Sequence, residues 1–239
     1  MKRINYASKL LFGGLFFCLM ITGSAYAQAD SDANTAQSPS MDDLQIRPMR
    51  LPSLAEVGGS MFLTPDFKLA SVQTNDNKTV TKVPVKFNIF NNAVMVQKDG
   101  QEMKLESFNQ VSYDVTENNG TIKHFVFKSG YPEIDKNTDK TIYQVLSIGP
   151  KVHLLKLLTQ KVEDVNTLGD YSRREIVTSV QLYMYVPGGE IKPIKSGKKE
   201  IMVALPDLSA KIEEIANTNG LKLKSESDIT LLVEELNKP

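Results

Sequence analysis

KFNIFNNAVMVQKDG, Lys86 to Gly100, decides the fold class. Leading into it, Val83, Val85, Phe87 and Ile89 recur at every second position, the period of a strand with one apolar face. Asn91-Asn92 then offers a tight turn, because Asn tolerates the left-handed backbone region that such turns need. Val94 and Val96 resume the alternation until Lys98-Asp99-Gly100, where Asp-Gly is a strong hairpin signal. The stretch therefore reads as two antiparallel strands and the turns that hold them, not as the rim of a catalytic site.

The same grammar extends in both directions. FKLASV, QEMKLE, VSYDV, IKHFVF, TIYQVLSI, VQLYMYV and EIKPI are short strand-like runs, separated by NDNK, KDG, ENNG, GDYSRR, GG and SGKK. Connections this short do not accommodate the crossover helices of parallel sheets, so an antiparallel meander is predicted. VHLLKLLTQKVED, from Val152, fits a helix through its consecutive leucines, but Gly149-Pro150 and the β-rich neighbourhood favour a strand or strand pair. KSGKK, Lys195 to Lys199, reads as a solvated turn.

The period changes near the end. Leu208, Ile212 and Ile215 share one helical face, with Pro206 near the start and Gly220 as a stop. Ile229, Leu232, Val233 and Leu236 form a second stripe, preceded by Ser225 and Asp228 in a capping arrangement. Helices this short need a surface to cover. The expected fold is mainly β: an antiparallel meander forming a sandwich or a curved, barrel-like sheet, with two short C-terminal amphipathic helices. Strand order alone leaves barrel and sandwich both open.

The N-terminus places Lys2, Arg3 and Lys9 before an apolar run from Leu10 to Ile21, followed by Ala25-Tyr26-Ala27. Charge, apolar core and small-residue cleavage site in that order predict a signal peptide over residues 1–27, cut before Gln28. Cys18, the only cysteine, lies inside the apolar run after Phe17, which does not suit lipoprotein processing. From Gln28 onward no cysteine remains, which excludes a disulfide-stapled fold, a thiol nucleophile and a thiolate metal site from that part of the chain. Residues 28–60, rich in Ser, Asp, Ala, Pro and Gly without sustained period, read as a flexible leader, with Met49, Leu51 and Leu54 as apolar pieces able to dock. Residues 61–204 are the predicted β domain and 205–239 the helix pair.

Without Lys2, Arg3 and Lys9, 25 basic residues face 28 acidic ones, a formal charge near −3. No basic block supports nucleic acid as a partner. No second apolar run is long enough for a transmembrane span after residue 27.

The spacing of GSMFLTPDFKLASV, VPVKFNIFNNAVMVQKDG, TIYQVLSIGPKVHLLK, VQLYMYVPGGEIKPIKSGKKEIMVAL and the final ITLLVEELN resembles that of a group of uncharacterised secreted β-rich envelope proteins of Bacteroidota-type bacteria. Phe87-Asn88 matches an aromatic-Asn pair before a hairpin in that group, and Asn237 an Asn near the end. Lys86 departs from it, since arginine is common there. The resemblance covers most of Gly59 to Asn237. It implies an envelope domain with a helical end, and it carries over no catalytic or ligand residue.

Chemistry is sparse. His124 and His153, the two histidines, both lie in strand-like runs without carboxylates at ligand spacing, and a His-carboxylate metal site requires them to converge. No G-x-S-x-G elbow or placed S-x-x-K is present. Glu133, Asp135 and Asp139 in YPEIDKNTDK invite a calcium reading, but the EF-hand glycine and terminal glutamate are missing. Glu213-Glu214 and Glu234-Glu235 lie opposite the apolar stripes and read as solvated. Phe87, Phe90, Tyr113, Phe125, Phe127, Tyr143, Tyr183 and Tyr185 occupy both strand faces, which fits a core, a hydrophobic ligand cavity or a partner-binding face. No catalytic, cofactor or metal residues are assigned. The expected function is a non-catalytic exported protein, periplasmic or outer-membrane-associated, that binds another envelope component. The alternative is a carrier or sensor of a lipid or other hydrophobic small molecule.

Overall fold

The structure, a computed structural model, describes residues 38–54, 56–167 and 170–239. The predicted signal peptide over 1–27 and the first ten residues of the predicted leader lie outside the described residues. Strands β1 (Ile46–Pro48), β2 (Lys68–Gln73), β3 (Thr79–Asn88), β4 (Ala93–Lys98), β5 (Gln101–Leu105), β6 (Gln110–Thr116), β7 (Ile122–Lys128), β8 (Tyr143–Ser147), β9 (His153–Thr167), β10 (Asp170–Tyr185) and β11 (Ile191–Ile194) precede three helices. These are α1 (Lys198–Ala204), α2 (Ser209–Thr218) and α3 (Glu226–Asn237). The strands form one antiparallel sheet of 11 in the order β1-β5-β4-β3-β2-β6-β7-β8-β9-β10-β11, not closed into a barrel.

The opening stretch folds as its residues dictate. Phe87 pairs with Val94 and Asn88 with Ala93, and Asn92 takes φ +47° in the turn between them. Asp99 (φ +52°) and Gly100 (φ +76°) form the two-residue β4–β5 loop, with Lys98 paired to Gln101. Positive φ at both loop residues is the geometry that suits the twist of paired strands. The VHLLKLL segment is a strand, β9, so the strand reading holds over the helical one.

Meander order breaks twice, at β1, which pairs with β5 rather than β2, and again after β5. β6 pairs not with β5 but with the far side of β2, Val72 opposite Val111. In a flat sheet that step crosses four strand spacings, roughly 19 Å. The five residue steps from Leu105 to Gln110 reach only about 17 Å fully extended. Strong curl resolves the mismatch. The rings of Phe87 on β3 and Phe127 on β7, three strands apart, stack at 4.4 Å, which a flat sheet forbids.

The concave face carries two buried apolar clusters. Val83, Val85, Phe87, Val94, Val96, Val111 and Phe127 fill the curl. Farther along the same face, Leu154, Met184 and Ile194 meet Ile201, Ile212, Ile215, Ile229, Leu232 and Val233 of the helices. KSGKK is more than a solvated turn. Gly197 (φ +124°) leads directly into α1, whose Ile201 and Ala204 are buried, so a third helix precedes the expected pair. At α3, Ser225 accepts the Asp228 N–H at 3.1 Å, while the Asp228 carboxylate accepts from the backbone of Lys222 and Leu223.

Two asparagine side chains take the place of backbone pairing where the curled sheet and the helices close. The Asn92 amide donates to Ile142 O at 2.9 Å and accepts from Ile142 N at 2.7 Å. Asn237 does the same for Val152 (2.8 and 3.0 Å) and also accepts from Lys151 N at 3.0 Å. Part of the stretch read as leader is built into the domain. Leu44 is buried, Ile46–Pro48 pairs with β5, and Gly58 bridges to β10. On the convex side Lys86 Nζ lies 3.9 Å from the Phe62 ring centre and 4.7 Å from that of Phe67, with Glu102 at 3.5 Å. That slot is how an amphipathic lysine becomes almost fully buried.

Candidate interaction surface

Each histidine is engaged by its own partner. His124 Nδ1 meets Asp114 Oδ1 at 2.6 Å on the exposed β6–β7 pair, while His153 Nδ1 lies 3.3 Å from the Tyr131 hydroxyl. Burial pushes the His153 pKa below 6.5, the Lys128 charge adds to that, and a backbone hydrogen bond at Gly149 opposes it. Among the described residues no group of three or more His, Cys, Asp or Glu side chains is placed to hold a metal ion.

The YPEIDKNTDK segment folds over the convex face of β8–β10. Tyr131 makes edge contacts with Tyr143 (5.7 Å), His153 (5.9 Å) and Tyr185 (5.3 Å), and Asn137 donates to the Tyr183 hydroxyl at 3.1 Å. Asp135 sits at φ +52° in the turn between Ile134 and Asn137, and the Asp139 carbonyl accepts from Gly130 N. Their side chains line different clefts, Asp135 one with Leu157 and Tyr183, Asp139 one with Arg47 and Phe108. The acidic spacing thus serves a loop laid over tyrosines. Burial pushes the Tyr143 phenol up to about 12 and raises Tyr131 and Tyr183 as well, so these hydroxyls stay protonated at neutral pH and supply no base.

The aromatic residues, predicted to serve a core, a cavity or a partner face, largely pack on each other. Phe87, Tyr113, Phe125 and Phe127 stack within the curl at 4.4 to 6.4 Å. A cleft of ≈ 440 Å³ with an apolar floor lies elsewhere, between the β10–β11 end and the start of the helices, floored by Met184, Leu205 and Leu208 and rimmed by Lys151, Lys192, Glu190 and Asp207.

The feature that sequence reading missed is the length of β10: VHLLKLLTQKVED carries the β9 reading to Asp164, whereas VQLYMYV begins only at Val180, and GDYSRR reads as a connection. The pairing of β9 with β10 runs from His153–Tyr185 out to Val165–Arg173. β8 stays in register with β9 only as far as Lys156, and β11 with β10 only as far as Leu182. Beyond those points β9 and β10 form a two-stranded ribbon. Lys161–Glu163 and Arg173–Glu175 ion pairs decorate it, and Val180 is 55% exposed. Charged residues at Arg173, Arg174 and Glu175 conceal the strand period of β10 here. The available signal was the alternation around Val162 and Ile176, which face each other across the ribbon. A two-stranded ribbon is marginal by itself. This one is tied down by Gly58, which donates to Arg174 O and accepts from Ile176 N at 2.9 Å, and by Gln160, which donates to Ser60 O.

No family model matches the chain, and no curated protein and no solved structure matches it. Function rests on the geometry.

Proposed function

We propose that this chain is a non-catalytic exported protein of the cell envelope that binds another envelope component, a protein, through the β9–β10 ribbon. The observation that supports this reading is the ribbon itself: two strands continue past the register of their neighbours and present an apolar exposed residue, Val180, beside the exposed Thr178 and Ser179. An edge left open in this way is a site for pairing with another chain, and proteins that do not use such edges cover or shorten them. The sheet's outermost strands fit that rule, since β1 and β11 are short and carry Pro48 and Pro193. The test is capture of the tagged protein from its native envelope after mild crosslinking, with proteins and lipids identified by mass spectrometry. A recurrent protein, lost when residues 158–181 are replaced by a short turn, supports the reading. Recovery of lipid alone overturns it.

A second reading, carriage of a small hydrophobic molecule, is supported by the cleft above Met184, Leu205 and Leu208, whose volume lies in the range of small-molecule sites. Native mass spectrometry that shows only the bare polypeptide after gentle purification from the envelope counts against it.

A further inference from the structure

The outer edge of β10 is interrupted, and the interruption has a definite shape. Gly58 pairs with that edge at Glu175, bonding Arg174 O and Ile176 N. Because alternate residues of a strand direct their backbone groups to the same side, the Ile176 carbonyl and the N–H and C=O of Thr178 and Val180 face the same edge. The chain after Gly58 does not continue the ladder. Gly59 turns away at φ +100°, where a Cβ would meet Ile176 Cβ at 3.2 Å. Met61 and Leu63 are then drawn to β3, Leu63 N donating to Phe87 O and Ile89 N to Met61 O. Pairing resumes only at Leu182 opposite Ile194, where the Gln181 side chain donates to both of those carbonyls. Among the described residues no other backbone group bonds to the Thr178 or Val180 edge groups. Thr178, Ser179 and Val180 are all exposed.

The gap from Ile176 to Leu182 is six residue steps, roughly 20 Å. Its line is blocked by this chain at both ends, by Gly58 and by Ile194. A second copy's β10, 16 residues long, does not fit between those blocks, so self-pairing of this edge is excluded. The space takes an extended segment of about four residues that enters and leaves out of the sheet plane. Its flanks are basic. Arg174 at one end and Lys195 at the other are exposed; Arg174 lies across the ladder from Asp164 without a salt bridge to it, whereas the neighbouring Arg173 and Lys161 are paired with Glu175 and Glu163.

We propose that a short extended segment of the protein partner, with acidic residues at its ends, adds to the β10 edge between Ile176 and Leu182. This rests on the reading of the ribbon as the partner-binding element and specifies what it takes hold of. Backbone bonds to Thr178 and Val180 supply the pairing, and Arg174 and Lys195 set the preference for acidic ends.

The test has two arms. In the first, a fluorescent hexapeptide library divided into acidic-ended and lysine-ended subsets is titrated against the purified protein, Val180→Pro and Val180→Thr. Proline at an outward-facing edge position removes the N–H while being compatible with an edge strand, as at Pro193. The expected result is binding of acidic-ended peptides, weakened at least tenfold by Val180→Pro and within about twofold of normal in Val180→Thr. Single N-methylation of alternate peptide residues should abolish binding in one phase only, a readout that does not depend on the variants. Equal binding of both subsets, insensitivity to Val180→Pro, or no peptide binding overturns the inference. In the second arm a photocrosslinking amino acid is placed at Val180 or at the exposed Val203 of α1 in intact envelopes. Crosslinks to an acidic extended segment from Val180 support the proposal. A protein crosslinked from Val203 but never from Val180 overturns the edge site and leaves partner binding standing. No protein from either position overturns both.

Discussion

Asn237 and Gly149 provide the sharpest energetic test of how the helices are fastened to the sheet. Asn237 makes three hydrogen bonds to the backbone of Lys151 and Val152, and Val152 is fully buried. In Asn237→Ala the exposed Lys151 N–H finds water, but the Val152 N–H and C=O are left without their partner. At about 1 kcal/mol for each lost bond, and more for buried groups left unmade, the cost is about 3 kcal/mol. Gly149 has no room for a side chain, because a Cβ there overlaps the Asn237 side chain, and its backbone is not in the left-handed region. Gly149→Ala therefore acts by expelling Asn237, and its cost is of the same size, about 3 kcal/mol. The two substitutions remove the same bonds, so the double variant should lose less than the sum, the residual cost above about 3 kcal/mol coming from the position-237 Cβ, which stays 2.6 Å from the added Cβ. The assay is urea unfolding followed by far-UV circular dichroism and tyrosine emission, since the chain has no tryptophan. With a slope of roughly 2 kcal/mol per molar urea, each single variant should move the midpoint down by about 1.5 M, and the double variant by less than the sum of about 3 M. Additive costs in the double variant would refute the argument that Gly149 is there for Asn237.

Three further outcomes are expected. Asn92→Gly keeps the positive φ of the turn but loses both bonds to Ile142, and should cost about 2 kcal/mol by the same unfolding assay, whereas a change below about 0.5 kcal/mol would show that water substitutes for the amide. Phe127→Ala removes a fully buried ring stacked on Phe87 and Tyr113 and should cost about 3 to 5 kcal/mol, with retention of wild-type stability sinking the account of the curl. His153 is held neutral, its folded pKa lying below its unfolded value of 6.5. Between those two values the unfolded chain binds more protons, so stability present above pH 6.5 is lost as pH falls toward the folded pKa. His153→Gln should flatten that part of the stability profile, and an unchanged slope would remove His153 as its source.

The parts of this fold that are legible in the sequence are those set by local chemistry. Asp99-Gly100 needs only its own two positive φ values to announce a hairpin, and the stripe from Ile229 to Leu236 announces a helix by period alone. The placement of β6 beside β2 has no local signature, because it depends on curl, and curl depends on Phe87 finding Phe127 across three strands. The third helix was hidden because Lys195 to Lys199 is basic and glycine-bearing, while the buried residues that justify it, Ile201 and Ala204, come one turn later. Gly149 and Asn237 were both visible as residue types. Nothing in a separation of 88 positions marks them as contacts.

The ribbon was illegible for a different reason, and that reason bears on what it does. A strand buried on one face declares itself through alternating apolar residues, but a ribbon largely exposed on both faces needs no such alternation, so Arg173 and Arg174 look like loop. Its existence is carried instead by pairing and by the bridge at Gly58, which lies in a stretch whose composition reads as leader. A free edge results wherever strand length exceeds the length of its neighbours: β11 stops at Ile194, Gly58 covers only Glu175, and Thr178 and Val180 fall between. Lengthening β11 is thus a direct way to ask whether the gap matters. Residues inserted after Ile194 that continue the strand along β10 should protect the Thr178 and Val180 amides from hydrogen exchange, leave the unfolding midpoint unchanged or raised, and abolish partner capture. Protected amides with undiminished capture would place the partner elsewhere on the molecule.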